Sequence, residues 1–424
     1  MQNPIIFTTR LIALALLGHI VLSWPLWHAG YRLAFPVLPV FGLPFPQTDF
    51  WAALHAWLTV GICLALLWLP NRRWVLAATV AWFLWMIVQD ITRLQPWMYF
   101  YLLALGLLLY GVPNRNYLSP KIALRWLLAA VYCWGGFNKM TPYFTEDNFP
   151  WFCEAFYWTK PMGAWPAAGY GVALVELLFA PGLLWRTSRP VFRWVVPGFH
   201  LFIVVALSPL GLDWNAVVIP WNVAMGGMAW VLFGPSLSPQ GISSAFRNLE
   251  IGYSLLEIGY SDKEKRSGIS NIQQGISNFQ VVSRELIGLS LQGAGLGLLT
   301  LAWLLPLFNI FHLWPEPLSW KMYSNTQTEA TYFQSTAPGS EGTLQRVWDK
   351  HAYDNGRKLL LDDWAFEELR VPVFNSRQTF IQLARYLCVQ NKPPDNSGLL
   401  LLSVERWDRS AEKWETIPCA QIAR

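Results

Sequence analysis

Runs of apolar residues, broken by short charged loops, leave this chain little choice of architecture. A helix needs about 20 largely apolar residues to cross the hydrocarbon of a bilayer. Stretches of that kind lie at roughly 10–28, 50–70, 74–91, 96–112, 122–139, 165–185, 190–208, 214–234 and 286–310. The third and fourth are short enough to be tilted or partly re-entrant, so the expectation is eight to nine transmembrane helices. Composition agrees, since 13% of the 424 residues are charged, against about 25% in a soluble domain. Tryptophan is abundant, at 26 residues, and it gathers at membrane interfaces. Trp24, Trp27, Trp51, Trp68, Trp74, Trp97, Trp165, Trp185 and Trp214 all flank the apolar runs. The reading is an integral membrane protein, with the lipid bilayer as its first partner.

The net charge of +5 belongs to loop cations that set topology, and no basic cluster is dense enough to serve nucleic acid. Leu11 to Trp27 is long for a signal-peptide core and lacks a small-residue cleavage site, so it reads as a retained first span. Taken as alternating sides, one set of loops carries Arg10, Arg72, Arg73, Arg115, Lys121, Arg186, Arg189, Arg193 and the cations of 235–285. The other carries Arg32, Arg93, Lys139 and Lys160 among the acids Asp49, Asp90, Glu146, Asp147, Glu154 and Asp213. The positive-inside rule then places the N-terminus in the cytoplasm. With nine spans, the Lys139 loop and the C-terminal region share the far side, in what would be a bacterial plasma membrane.

The chain therefore divides into a membrane helical domain at 1–234, a linker at 235–285, a last transmembrane helix at 286–310 and a polar region at 311–424. The linker carries two duplications. Leu249-Glu250-Ile251-Gly252-Tyr253-Ser254 returns as Leu256-Glu257-Ile258-Gly259-Tyr260-Ser261, and Gly268-Ile269-Ser270-Asn271 as Gly275-Ile276-Ser277-Asn278. Two copies are too few for a coiled coil, and a low-complexity cytoplasmic linker is the expectation. In the polar region, Ala330 to Gln334 and Leu399 to Arg406 read as strands. Asp362 to Arg370 reads as a helix with acids in its first turn and Pro372 just beyond. Ser376 to Val389 reads as a second helix, with Phe380, Leu383, Ala384 and Leu387 on one face. The fold expected is an all-α polytopic membrane helical bundle with a small extracytoplasmic α+β C-terminal domain. The five cysteines contain no C-x-x-C, which argues against a thiol–disulfide active site or structural zinc. Whether Cys388 and Cys419 pair, spacing alone leaves open.

Ionisable groups within spans cost about 2.5–3.5 kcal/mol each on insertion scales, so each one is a functional hypothesis. His19, His55, Glu176 and His200 lie inside spans, with Lys139 at an outer end. Glu176 and His200 stand on consecutive helices at similar distances from the basic loop 186–193. Equal rise per residue sets them at similar depth, as a structural hydrogen bond or a proton-handling pair. Lys139 has two readings. It is a snorkelling anchor, or it is kept from water, where the neutral amine is favoured and serves as a base. The following loop, Thr141-Pro142-Tyr143-Phe144 to Phe149-Pro150-Trp151-Phe152, is aromatic and broken by proline. It is suited to lying on the membrane and roofing a pocket for a planar, lipid-soluble molecule. Asn138, Asn215 and Asn222 near span ends, with Trp151, are candidate contacts for such a ligand's carbonyl and ring. His19 and His55 are placed to face one another across the first two spans, but a metal site wants a third ligand and supporting residues. No metal is expected.

Several short motifs bring a family into view. Gly136-Phe137-Asn138-Lys139-Met140 through Phe149-Pro150-Trp151 resembles the glycine–x–x–lysine–aliphatic segment of the HTTM superfamily, the membrane domains related to vitamin K-dependent gamma-carboxylase. Glu176-Leu177-Leu178, Arg186-Thr187-Ser188-Arg189-Pro190 and Phe199-His200-Leu201 resemble that superfamily's Glu…Arg…His helices. Ser319-Trp320-Lys321-Met322-Tyr323-Ser324 is similar to its Trp-x-Met-Phe segment. The match covers about residues 10–325. The resemblance implies a quinol-dependent lyase or oxygenase in which Lys139 is the base toward a reduced, vitamin K-like quinone, supported by Glu176 and His200. The C-terminal domain is far shorter than the carboxylase's, and the linker 235–285 is foreign to it. The competing classes are a non-enzymatic scaffold whose outer domain binds a protein partner and a transporter. A transporter would carry inverted repeats, and the spans show no internal symmetry.

Overall fold

The computed structural model describes residues 3–41, 48–111, 119–234, 294–311, 313–321, 328–334, 352–353, 358–390, 397–404 and 412–422. The duplicated linker, residues 286–293 of the last expected span and Met322-Tyr323-Ser324 lie outside them.

The longer helices of the first 303 residues are α1 (Pro4–Leu22), α2 (Asp49–Trp68), α3 (Arg73–Gln89), α4 (Pro96–Gly111), α5 (Pro120–Asn138), α6 (Pro166–Leu184), α7 (Arg189–Leu207), α8 (Ile219–Leu232) and α9 (Ala294–Trp303). Proline stands in the first two positions of α1, α5, α6, α7 and α8, where its fixed φ suits the helix and its missing N–H costs nothing. The opposite ends are closed by arginines. Arg10 Nε donates to Leu67 O, Arg125 Nε to Leu232 O, Arg193 Nε to Trp230 O, and Arg189 to Leu183 O and Leu184 O. A cation at a helix C-terminus satisfies orphan carbonyls and complements the helix dipole. Arg10, Arg189 and Arg193, three of the cations in the orientation argument, thus also finish helices.

Among the described residues, four helices (α1, α2, α6 and α7) are long and apolar enough to cross a membrane, and α3, α4, α8 and the segment Gly295–Phe311 are shorter apolar helices. The outward faces of α2 and α7 are apolar, with Trp57, Trp194 and Leu201 exposed. The helix α5 is the opposite case. From Ala123 to Gly136 every residue but Arg125 and Cys133 is buried, because α1, α4, α6, α8 and α9 all pack against α5. Its Gly136 is obligatory, because a Cβ there would run into the backbone of Leu177 on α6. The two helices meet backbone to backbone.

The C-terminal region forms an antiparallel sheet of β1 (Glu329–Phe333), β2 (Ala352–Tyr353), β3 (Lys358–Leu360), β4 (Gly398–Val404) and β5 (Glu412–Pro418), in the order β2-β3-β1-β4-β5. The helices α10 (Leu361–Leu369) and α11 (Arg377–Gln390) pack on it. Arg370, with φ 63, closes α10 in the left-handed conformation. The expected apolar face of α11 is as read, with Phe380, Leu383, Ala384 and Leu387 all fully buried. Cys388 and Cys419 form a disulfide. The strands β2, β3 and β5 are additions to the sequence reading.

This domain sits on the end of the bundle that carries Lys139. The Glu368 carboxylate accepts the backbone N–H groups of Leu33, Ala34 and Phe35, at 2.8–3.2 Å, and the Trp364 indole N–H at 2.7 Å. Gln95 donates to Pro372 O and Asn138 to Ser319 O. A ring sequence, Trp151 edge-on to Trp214 and Trp214 stacked on Phe366, ties the 149–165 loop to α10.

Candidate functional site

One group of buried polar residues lines a face of α5, apart from the buried Arg32–Asp90 ion pair and the His19–Tyr101 contact elsewhere in the bundle. Tyr132, Gly135 and Lys139 follow at helical spacing, so their positions stack above one another. At the top, Lys139 Nζ donates to Glu176 Oε2 at 2.8 Å and lies 3.5 Å from Gly135 O. Each side chain of this ion pair is only 10% exposed. Glu176 reaches α5 because Gly135 has no side chain, and a Cβ there would stand 2.7 Å from its Oε1.

Two turns down, the Tyr132 hydroxyl and His200 Nε2 are 2.8 Å apart, and His200 Nδ1 and Asn222 Oδ1 are 2.8 Å apart. Asn222 Nδ2 donates to Val218 O, which makes Oδ1 the acceptor toward the ring. His200 therefore carries its hydrogen on Nδ1, and its Nε2 lone pair accepts from Tyr132. Phe179, one turn below Glu176, is edge-on to Tyr132 at 5.5 Å and packs on Phe199.

The expected Glu176–His200 pair is a correction. Glu176 pairs with Lys139, and His200, lower along the helix, with Tyr132 and Asn222. Rotation about the helix axes, which depth does not fix, turns Glu176 toward α5 and His200 toward α5 and α8. The expectation of His19 facing His55 is corrected likewise. His19 stacks on Trp97 at 3.9 Å and lies 3.4 Å from the Tyr101 hydroxyl, whereas His55 lies against Trp51 and Trp82. Of the proposed ligand contacts, Asn222 uses its amide on His200 and Val218, and Asn138 holds Ser319. Asn215 stands in the left-handed conformation at φ 51, ahead of α8. Trp151 is in the ring sequence described above.

The loop after Lys139 is more helical than the sequence suggested. Phe144–Asn148 forms a π-helical turn, Phe149–Cys153 a short α-helix and Lys160–Ala164 a 3-10 turn. Phe144, Phe149 and Cys153 pack on Ala173, with Met140, Ala168 and Val172 around them. Tyr157, Trp158 and Trp165 point outward. The loop therefore covers the start of α6. No group of three or more His, Cys, Asp or Glu able to hold a metal occurs among the described residues.

Sequence reasoning missed Tyr132. Its signal was present: it stands seven residues before Lys139, two helical turns away on the same face.

A dry ion pair and its neutral counterpart differ by one proton along one hydrogen bond. Low dielectric raises the cost of separating the charges from water, so such a pair is suited to passing a proton. Compared with family models, with curated proteins and with solved structures, the chain gives no match. The likeness to the HTTM superfamily thus rests on the sequence motifs.

Proposed function

We propose that the chain is a multi-pass membrane enzyme of the gamma-carboxylase-like type, which takes a proton from a lipid-soluble quinol at the Lys139–Glu176 pair. In this reading the four long apolar helices, the four shorter ones and the enclosed α5 would make up nine spans. The arginine-capped end would be cytoplasmic. The end bearing Lys139 and the C-terminal domain would be extracytoplasmic, where the Cys388–Cys419 disulfide is at home.

The observation that carries this reading is the burial of the Lys139 amine beside one carboxylate. A snorkelling anchor needs its ammonium in water, and this one is out of it. When bound, a quinol supplies an acidic hydroxyl and reducing electrons. In the neutral form of the pair the proton rests on the Glu176 carboxyl, which holds the Lys139 amine in place with its lone pair free to accept the quinol's proton, while the 141–165 loop excludes water.

The test is oxygen uptake by the intact protein in nanodiscs, supplied with a prenylated naphthohydroquinone. Lys139→Ala and Lys139→Arg should each lower turnover on the order of 10²- to 10⁴-fold, the usual worth of a general base, because arginine stays protonated. Wild-type turnover in Lys139→Arg would leave only an anchor and favour the scaffold with a protein partner.

A further inference from the structure

We propose that the arginine-capped end of the bundle binds the headgroup of an anionic phospholipid, held by Lys121, Arg125 and Arg189 beside the starts of α5 and α7. The inference rests on the membrane reading of the bundle and on no part of the quinol chemistry.

Four observations carry it. The first is a convergence of like charge. The ionised groups that act on the Lys121 ammonium are Arg125 and Arg189, both cations. Lys121 itself has no hydrogen-bond or ion-pair partner among the described residues. Positive groups drawn together repel one another, and a phosphodiester set among them turns that repulsion into attraction.

Second, the fold holds the two guanidiniums in place. Arg125 Nε donates to Leu232 O, and Arg189 donates from Nε and Nη2 to Leu183 O and Leu184 O. Both stand over the Phe233 ring, at 5.3 and 5.9 Å from its centroid. A carbonyl fixes the direction of a guanidinium without cancelling its charge.

Third, Lys121 lies in the first turn of α5 and Arg189 opens α7, and neither helix start has an acid or a side-chain cap. Cations there oppose the helix dipoles, whereas an anion beside them suits both the dipoles and the cations.

Fourth, the site stands at headgroup level. Arg193, one turn along α7 from Arg189, lies over Trp194 and Trp230 at 5.6 and 5.0 Å. Both indoles are exposed, as in the aromatic belt of a membrane interface. Val191 and Trp194 continue the outward apolar face of α7, which suits acyl chains and offers nothing to a soluble anion. Lys121, Arg125 and Arg189 are each half-buried, so a headgroup reaches them from the membrane surface and needs no opening into the bundle.

The test is native mass spectrometry of the intact chain in detergent, titrated with phosphatidylglycerol or with phosphatidylcholine of the same acyl chains. The wild type should bind phosphatidylglycerol more tightly, on the order of 10-fold. Lys121→Gln should weaken that binding on the order of 5-fold and leave phosphatidylcholine unaffected, while Lys121→Arg keeps the wild-type affinity. Arg72→Gln, which removes an exposed cation of the same end, should change neither. Without added lipid, Lys121→Gln should melt no lower than the wild type, because the amine makes no bond that the fold needs. Equal affinity for the two lipids, unchanged phosphatidylglycerol binding in Lys121→Gln, or an equal loss in Arg72→Gln overturns the site. A lowered melting temperature in lipid-free Lys121→Gln overturns it too, by showing the amine bonded within the fold. Displacement of the lipid by equimolar inorganic phosphate overturns a lipid as the occupant. A chain that stays in solution without detergent overturns the membrane reading on which the site rests.

Discussion

Lys139 and Glu176 were legible as candidates because a charge in an apolar run is costly and therefore rare. Their partnership was not legible. It depends on the rotation of α5 and α6 about their axes and on Gly135, whose missing side chain lets the carboxylate in. Removing one member leaves the other charge buried without a counter-ion, a loss of about 3–5 kcal/mol. Replacing both with apolar residues removes the penalty. Lys139→Met and Glu176→Leu should therefore each lower the melting temperature in detergent, while the double variant recovers most of the loss. Additive losses would show that the two residues do not share a bond.

Among elements, the helices announced themselves through apolar length and flanking tryptophans. The face of α11 did so through its periodicity. Strand β5 did not, because Glu412, Lys413 and Glu415 give it the charged composition that protects an edge from further pairing, and β5 is an edge of the sheet. The contact of α5 with α6 runs over Gly135 and Gly136, and the structure separates their roles. Gly135→Ala pushes on the end of a movable carboxylate, whereas Gly136→Ala pushes on the Leu177 backbone. Overpacking of this kind costs about 1–3 kcal/mol, and Gly136→Ala should fall at the upper end with Gly135→Ala below it. Equal melting temperatures for the two variants would contradict the backbone contact.

At the scale of the whole molecule, the C-terminal domain is fastened to the bundle through Glu368, Gln95, Asn138 and the Trp151–Trp214–Phe366 sequence of rings. None of these long-range contacts has a local sequence signal. The domain also holds a buried acid. Burial pushes the Asp362 carboxyl up to about 7, helped by Glu329, Asp363 and Glu316 nearby and opposed by the Val373 N–H it accepts. The folded state thus binds a proton that the unfolded chain has released, between about pH 4 and pH 7. Stability should fall as pH rises through that window. Hydrogen exchange of the α10 amides, corrected for the intrinsic rate at each pH, should show this slope in the wild type. Asp362→Asn, which keeps the acceptor for Val373, should flatten it, and an unchanged slope would place the titrating group elsewhere.

The disulfide fixes the same domain from its far side. Closing the 31-residue separation between Cys388 and Cys419 contributes about 3–4 kcal/mol on the chain-entropy account.

The proposed chemistry requires that a lipid-soluble ring reach Lys139 from the bilayer. The direct measurement is photolabelling in nanodiscs with a diazirine-bearing prenylated naphthohydroquinone, followed by mapping of the adducts. The account predicts adducts on Tyr132 to Lys139 of α5 and Val172 to Glu176 of α6, suppressed by excess unlabelled quinol. Adducts confined to outward-facing positions such as Trp57 and Leu201, unaffected by competitor, would contradict it.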